Sequence, residues 1–249
     1  MKTHFSALGL TAVLALAATS AQAQASISFG PRVGVNLSSA SISGPGTEGV
    51  SPKSIFGGQL GATADIRFGN FAIQPSLVFT RKGFKVTQSD TETFNGVTAT
   101  YSDKRTLNIN YLELPVNLVY TTGGDHGFQM FAGPYAAFGV GGNAPYETDV
   151  VIPGIMNDHK SGTGKINFAN QEPKPSSSSS SNDNDVTVRR FDVGGNVGIG
   201  YRQGPFQVQA SYGLSFSNLI PLNSDGSDSK DKAHNQLGQL TVNYFFGSN

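Results

Sequence analysis

Phe206-Gln207-Val208-Gln209-Ala210-Ser211-Tyr212-Gly213-Leu214-Ser215-Phe216 alternates apolar and polar residues without a break. A period of two is the period of a β-strand, whose successive side chains point to opposite faces. The polar face carries Gln, Ser and Gly but no charge, whereas the apolar face is bulky and has a Phe at each end. Those two aromatic residues are 10 positions apart. Ten steps of ~3.3 Å in a strand tilted by ~40° rise roughly 25 Å, the height of the apolar band of a transmembrane barrel. A soluble barrel would put its apolar face inside and wet its outer wall with charge. This strand has no charge to do so.

Seven further runs read the same way: 27–37, 56–68, 71–80, 112–120, 128–140, 191–201 and 240–246. Phe128 and Phe138, and Phe191 and Tyr201, repeat the ten-residue aromatic spacing. Short connections (Gly69-Asn70, 121–127 and 203–205) alternate with long ones (39–54, 83–105, 143–187 and 217–234). The expectation is an all-β fold, an eight-stranded antiparallel up-and-down transmembrane β-barrel of the outer-membrane type. Short turns and both chain ends share the periplasmic rim, and the long loops are extracellular. Phe68, Phe71, Tyr120, Phe128, Tyr201, Phe206 and Phe246 form an aromatic belt at the inner interface. Leu107, Ile109 and Tyr111 stand out of phase with Leu112 and Leu114. Either a bulge lies near Tyr111, or the strand extends above the membrane there.

Composition fits this pattern. Of 249 residues, 17 are Lys or Arg and 17 are Asp or Glu, and charged residues make up 14%, against roughly 25% in soluble domains. Balanced charge gives no footprint for nucleic acid. Without cysteine there is no disulfide framework, thiolate metal site or thiol nucleophile. The start, Lys2 and His4 followed by the apolar stretch 5–18 and Ala21-Gln22-Ala23, reads as a signal peptide over 1–23. The barrel domain is then 24–249. Its 143–187 connection contains Glu172-Pro173-Lys174-Pro175, six serines from Ser176 to Ser181, and Asn182-Asp183-Asn184-Asp185. Such a segment buries no apolar area and is expected to be a largely disordered extracellular loop. The Asn/Asp group does not have the ligand spacing of an EF-hand loop.

An eight-stranded barrel has a lumen just wide enough for side chains to fill. The charges on the polar faces, Arg32, Asp65, Arg67, Glu113, Asp192 and Arg202, therefore point inward and need partners. Strand position pairs Arg32 with Glu113 at mid-height, and Asp65 with Arg67 or Arg202 low in the barrel. The histidines of the barrel domain, His126, His159 and His234, lack metal-ligand spacing. His234 near Ser229 and Asp231 is the one constellation with the residue types of a hydrolase. No G-x-S-x-G or P-loop accompanies it. No enzymatic activity, metal or cofactor is expected. Expected partners are outer-membrane lipid and, during biogenesis, the barrel-assembly machinery. The leading function is structural or surface-interacting, with the lumen plugged. The alternatives are a narrow solute or ion channel and, behind it, a lipid-modifying enzyme.

Four stretches carry a family resemblance. They are Gly30-Pro31-Arg32-Val33-Gly34-Val35-Asn36-Leu37-Ser38, Tyr111-Leu112-Glu113-Leu114-Pro115-Val116, Phe131-Ala132-Gly133-Pro134-Tyr135 and the closing Tyr244-Phe245-Phe246. In these the chain resembles the porin-like outer-membrane β-barrel family of Bacteroidetes-type bacteria, often called PorT-like. The resemblance implies the barrel fold. It assigns no activity, and the secretion role of the namesake member does not follow from it.

Overall fold

The computed structural model describes residues 25–45, 47, 50–94, 97–172 and 184–247. The expected signal peptide, 1–23, and the serine run Ser176–Ser181 lie outside the described residues.

Alternating β-branched and aromatic residues give ten strands among the described residues. These are β1 (Ser26–Ser43), β2 (Lys53–Phe68), β3 (Phe71–Phe94), β4 (Val97–Gly123), β5 (His126–Ile152), β6 (Met156–Phe168), β7 (Val186–Val188), β8 (Phe191–Gln203), β9 (Phe206–Ser215) and β10 (Lys232–Tyr244). Eight close into an antiparallel ring in the order β1-β2-β3-β4-β5-β8-β9-β10, and β10 returns to β1. Closure keeps the backbone hydrogen bonds of the wall within the wall, as a spanning structure requires. At the rim where β1 begins and β10 ends the turns are tight. Phe68 pairs with Phe71 and Gln203 with Phe206, so two residues make each of these turns. Gly69 (φ +59°) and Gly204 (φ +56°) take the left-handed backbone that such turns demand.

The wall is inverted relative to a soluble protein. Phe56 is 82% exposed and Val197 60%, while Gln207 and Gln209 are 0% and 1% exposed. The expected lower belt faces outward: Phe71 packs against Tyr120 and Phe29 against Phe246 with tilted rings, and Phe128 meets Tyr201 and Phe246 meets Tyr244 edge-on. Phe206 packs on Tyr244, and Phe68 is paired beside Phe71. At the opposite rim Phe138 packs on Phe191.

Two expectations change. Residues 83–105 are not a loop: β3 and β4 run on as a hairpin, paired from Gly83–Asn108 out to Phe94–Val97. Nor is the described part of 143–187 mostly a loop. Strand β5 continues to Ile152 and β6 pairs with it, once β8 has ended its own pairing at Phe138. β6 and β7 thus lie outside the ring, as part of a sheet that rises above the rim opposite the tight turns.

Tyr111 marks where the barrel changes character. Odd positions of β4 point inward without interruption from Leu107 to Asn117. What switches is their chemistry, apolar at Leu107, Ile109 and Tyr111 and polar at Glu113 and Asn117. Above Tyr111 the interior is an ordinary apolar core of Phe84, Leu107, Ile109, Ile166, Val188 and Leu219. There is a bulge at this level, but its extra residue is on the partner strand. Asn110 pairs with Gly141 and Tyr111 with Gly139, which leaves Val140 between them.

Candidate functional site: the polar lumen and its charged centre

Below the apolar core the inward side chains form three tiers. The floor, at the rim of the tight turns, is built on Asp65. Its carboxylate accepts from Arg202 at 2.6 Å, from Arg67 at 3.1 Å and from Gln74 at 2.7 Å. Arg67 also donates to the Gly124 carbonyl, and Arg202 donates to the Gly204 carbonyl at 3.0 Å and lies over the Phe245 ring. These bonds tie the floor to two turns.

The middle tier is an amide and hydroxyl mesh. Gln207 Nε2 donates to Gln129 at 2.8 Å, Asn243 donates to Gln207 at 3.0 Å, and Thr63 bonds both Asn243 and Ser76. These residues come from β2, β3, β5, β9 and β10, so the mesh crosses the lumen. Uncharged amides carry both donors and acceptors, so side chains from opposite strands can bond one another across the lumen.

The upper tier is charged. Lys82 Nζ lies 2.5 Å from Glu113 and 3.3 Å from Asp192, and 4.3 Å from the Tyr135 ring centroid. Asp192 also accepts from Ser215 at 2.6 Å and Asn235 at 3.1 Å. The ammonium is thus shared by two carboxylates, and neutral donors supply Asp192 with further bonds. Such geometry is needed for buried charges to be tolerated. Tyr111 and Tyr135, members of the apolar core, close over this tier.

All six inward charges of the sequence reading, Arg32, Asp65, Arg67, Glu113, Asp192 and Arg202, are buried. The structure brings Asp65, Arg67 and Arg202 together. It does not bring Arg32 to Glu113: Arg32 donates to Gln59 at 3.4 Å, and Glu113 pairs with Lys82. Lys82 escapes the sequence reading because it lies past Thr80, the end of the third apolar–polar run. The alternation that continues, with Thr80, Lys82, Phe84 and Val86 on one side and Arg81, Gly83 and Lys85 on the other, is the signal that could find it.

The other candidates are scattered. His126 bonds Asp125 at the turn rim, and His159 on β6 bonds Asp149 at 2.6 Å. That bond holds the Asp149 carboxyl below the usual carboxylate range. Ser229 accepts from the Asp231 backbone N–H, and among the described residues no hydrogen bond joins Ser229 to His234. No group of three or more His, Cys, Asp or Glu among the described residues could hold a metal ion. In the Asn/Asp group of the long connection, Asp185 accepts from the Lys165 backbone N–H, while Asn182 and Asp183 lie outside the described residues.

Residues 21–221 match the family model described as "Outer membrane protein beta-barrel domain". No curated protein matches the chain. Among solved structures, Ail, the attachment invasion locus protein of Yersinia pestis, is similar at 9% identity and TM-score 0.36, over 89% of this chain and 99% of that one. Neisserial surface protein A is similar at 10% identity and TM-score 0.37, over 88% and 97%. The translocator domain of the autotransporter NalP from Neisseria meningitidis is similar at 11% identity and TM-score 0.27, over 97% and 96%.

Proposed function

The chain belongs to the outer membrane protein β-barrel domain family and is an outer-membrane protein, and from that premise we propose that it is a non-conducting barrel with a structural or surface-interaction role. In this reading the chain ends are periplasmic and the sheet built on the upper parts of β3, β4, β5 and β6 is extracellular. The lumen is plugged by its own side chains. The observation that carries the reading is the sequence of layers along the barrel axis: a salt-bridged floor, an amide mesh, a paired charged centre and an apolar core above it. An ion crossing this path would have to displace buried Arg202, Gln207 and Lys82 and then enter hydrocarbon-like surroundings at Phe84 and Ile109. Each of these steps is costly. The four motif stretches support a finer placement within the family, among the PorT-like porin-like barrels. Outer-membrane lipid, and barrel-assembly machinery during biogenesis, are the partners this reading implies.

Conductance in planar bilayers tests it. The full-length barrel is expected to give no resolved channel steps, before or after Glu113→Gln. Clear steps whose size changes with Glu113→Gln would establish the narrow channel instead.

A further inference from the structure

The outer wall has a dent with a charged head. On the faces of β1, β2 and β3 a groove of about 370 Å³ is lined by Gly34, Gly58, Gln59, Leu60, Phe79 and Arg81. Its origin lies in the sequence. Gly58 occupies an outward position of β2, between the bulky outward residues Phe56 and Leu60. A Cβ there would meet only the Gly34 carbonyl oxygen, at 3.9 Å, so the space is open. Leu60 and Phe79 stand exposed on its flanks, 62% and 48%. A register shift in the β2–β3 pairing, between Ser54 and Gln59, lies beside it.

Directly above, the chemistry turns cationic. Arg81 is exposed and two residues beyond Phe79, the last apolar residue on the outer face of β3 within the wall. Two strand residues span ~6.6 Å, or roughly 5 Å of height at a ~40° tilt, the step from hydrocarbon to headgroup. Four strand residues beyond Arg81, roughly 10 Å higher at the same tilt, Lys85 and Lys53 are direct cross-strand partners. Like charges placed opposite each other repel. Among the described residues none of Arg81, Lys53 and Lys85 forms an ion pair, and the one hydrogen bond of the Arg81 guanidinium is a long one, 3.4 Å, to Asn110. Three unneutralised cations over an apolar furrow complement a molecule with an anionic head and a hydrocarbon chain.

We propose that this furrow binds a phosphorylated acyl lipid of the outer leaflet. One chain lies against Gly58, Leu60 and Phe79, and the phosphate sits on Arg81, with the Lys53–Lys85 pair adding positive charge above it. A guanidinium binds phosphate oxygens bidentately, which gives the head a fixed seat. The assignment to the outer leaflet rests on the orientation proposed above. Recognition itself does not, since it is a property of the wall.

Native mass spectrometry of the full-length barrel, released from a neutral detergent, tests the proposal with dioleoyl phosphatidic acid as probe. The wild type is expected to retain one phosphatidic acid and not dioleoylglycerol, which has the same chains without phosphate. Arg81→Gln, at an exposed position, should weaken retention at least about tenfold, the size of one charge-assisted hydrogen bond. Gly58→Leu should do the same by filling the furrow without altering charge, in protein shown to be folded by heat-modifiable gel migration. Arg190→Gln, an exposed cation stacked on Phe138 and Phe168 at the same rim, should leave retention unchanged. Retention unaltered in Arg81→Gln, equal binding of dioleoylglycerol, or equal loss with Arg190→Gln would each overturn the site. Equal competition by inorganic phosphate would leave only an anion site and overturn the lipid assignment. The assay is done in micelles, so its outcome is independent of which rim faces the cell exterior. Protease accessibility of the upper sheet on intact cells tests the orientation separately.

Discussion

Lys82 holds the centre of the lumen by standing between two carboxylates that no other cation contacts as closely among the described residues. Removing it leaves Glu113 and Asp192 buried without the cation they share. Breaking a buried pair by deleting one partner costs about 3–5 kcal/mol. Lys82→Ala should therefore lower stability by about that amount in urea titrations of the barrel in lipid vesicles, read by gel mobility. Adding Glu113→Gln should restore part of the loss, because it removes one of the stranded charges. A Lys82→Ala barrel within about 0.5 kcal/mol of the wild type would show that the tier does not depend on this charge. At this scale the sequence allows only part of the site to be read. Asp65, Arg67 and Arg202 lie in strands whose alternation is clean, so their shared inward height can be counted. Arg32 and Glu113 can also be counted inward, but the cation between the carboxylates sits beyond the last clearly alternating residue of its strand.

The strands that rise above the rim obey a different pattern from those in the wall, and this explains why the upper sheet reads as loop. Within the wall one face must be apolar, so period two is visible. Above it, residues such as Thr87, Gln88, Ser89 and Asp90 are polar on both faces, and strands of this kind share the composition of loops. Backbone pairing with β4 and β5, not side-chain pattern, makes them strands. The outer part of the β3–β4 hairpin is accordingly separable from the ring. Excising 88–103 and joining Thr87 to Lys104 through Asn-Gly should preserve heat-modifiable folding, since Thr87 and Lys104 already pair and that dipeptide favours a two-residue turn. Loss of the folded band would tie ring assembly to the hairpin tip. On the neighbouring strands Asp149 and His159 join β5 to β6. A carboxyl held below its ordinary value favours the folded state above the unfolded pKa of about 3.9, and that gain disappears as pH falls through the lowered native value. His159→Ala should move the Asp149 titration upward toward the ordinary value in carboxyl NMR. An unchanged titration would place the cause elsewhere.

Taken as one object, the molecule is two proteins in series on shared strands. In the lower one, apolar side chains face out and mostly polar ones in, with a small buried apolar cluster of Ala72, Val119 and Phe131. In the upper one, apolar side chains face in around Phe84, Leu107 and Ile109. The eight-strand ring and the inverted wall can be read from alternation, aromatic spacing and turn glycines, all of which are local. The upper core cannot, because its members come from distant segments, from Ala40 to Ala233, and the junction at Tyr111 looks like a break in phase. The absence of cysteine makes the central claim directly measurable, by single-cysteine scanning along β4 in lipid vesicles. Cysteines replacing Leu112, Leu114 and Leu118 should react only with a bilayer-soluble reagent. Those replacing Lys104, Thr106 and Asn108 should react with a water-soluble one, and those replacing Leu107, Ile109, Glu113 and Asn117 with neither. Bilayer-phase labelling at 107 and 109 would mean that the strand slips its phase at Tyr111, and would contradict the continuous strand with an exchanged interior.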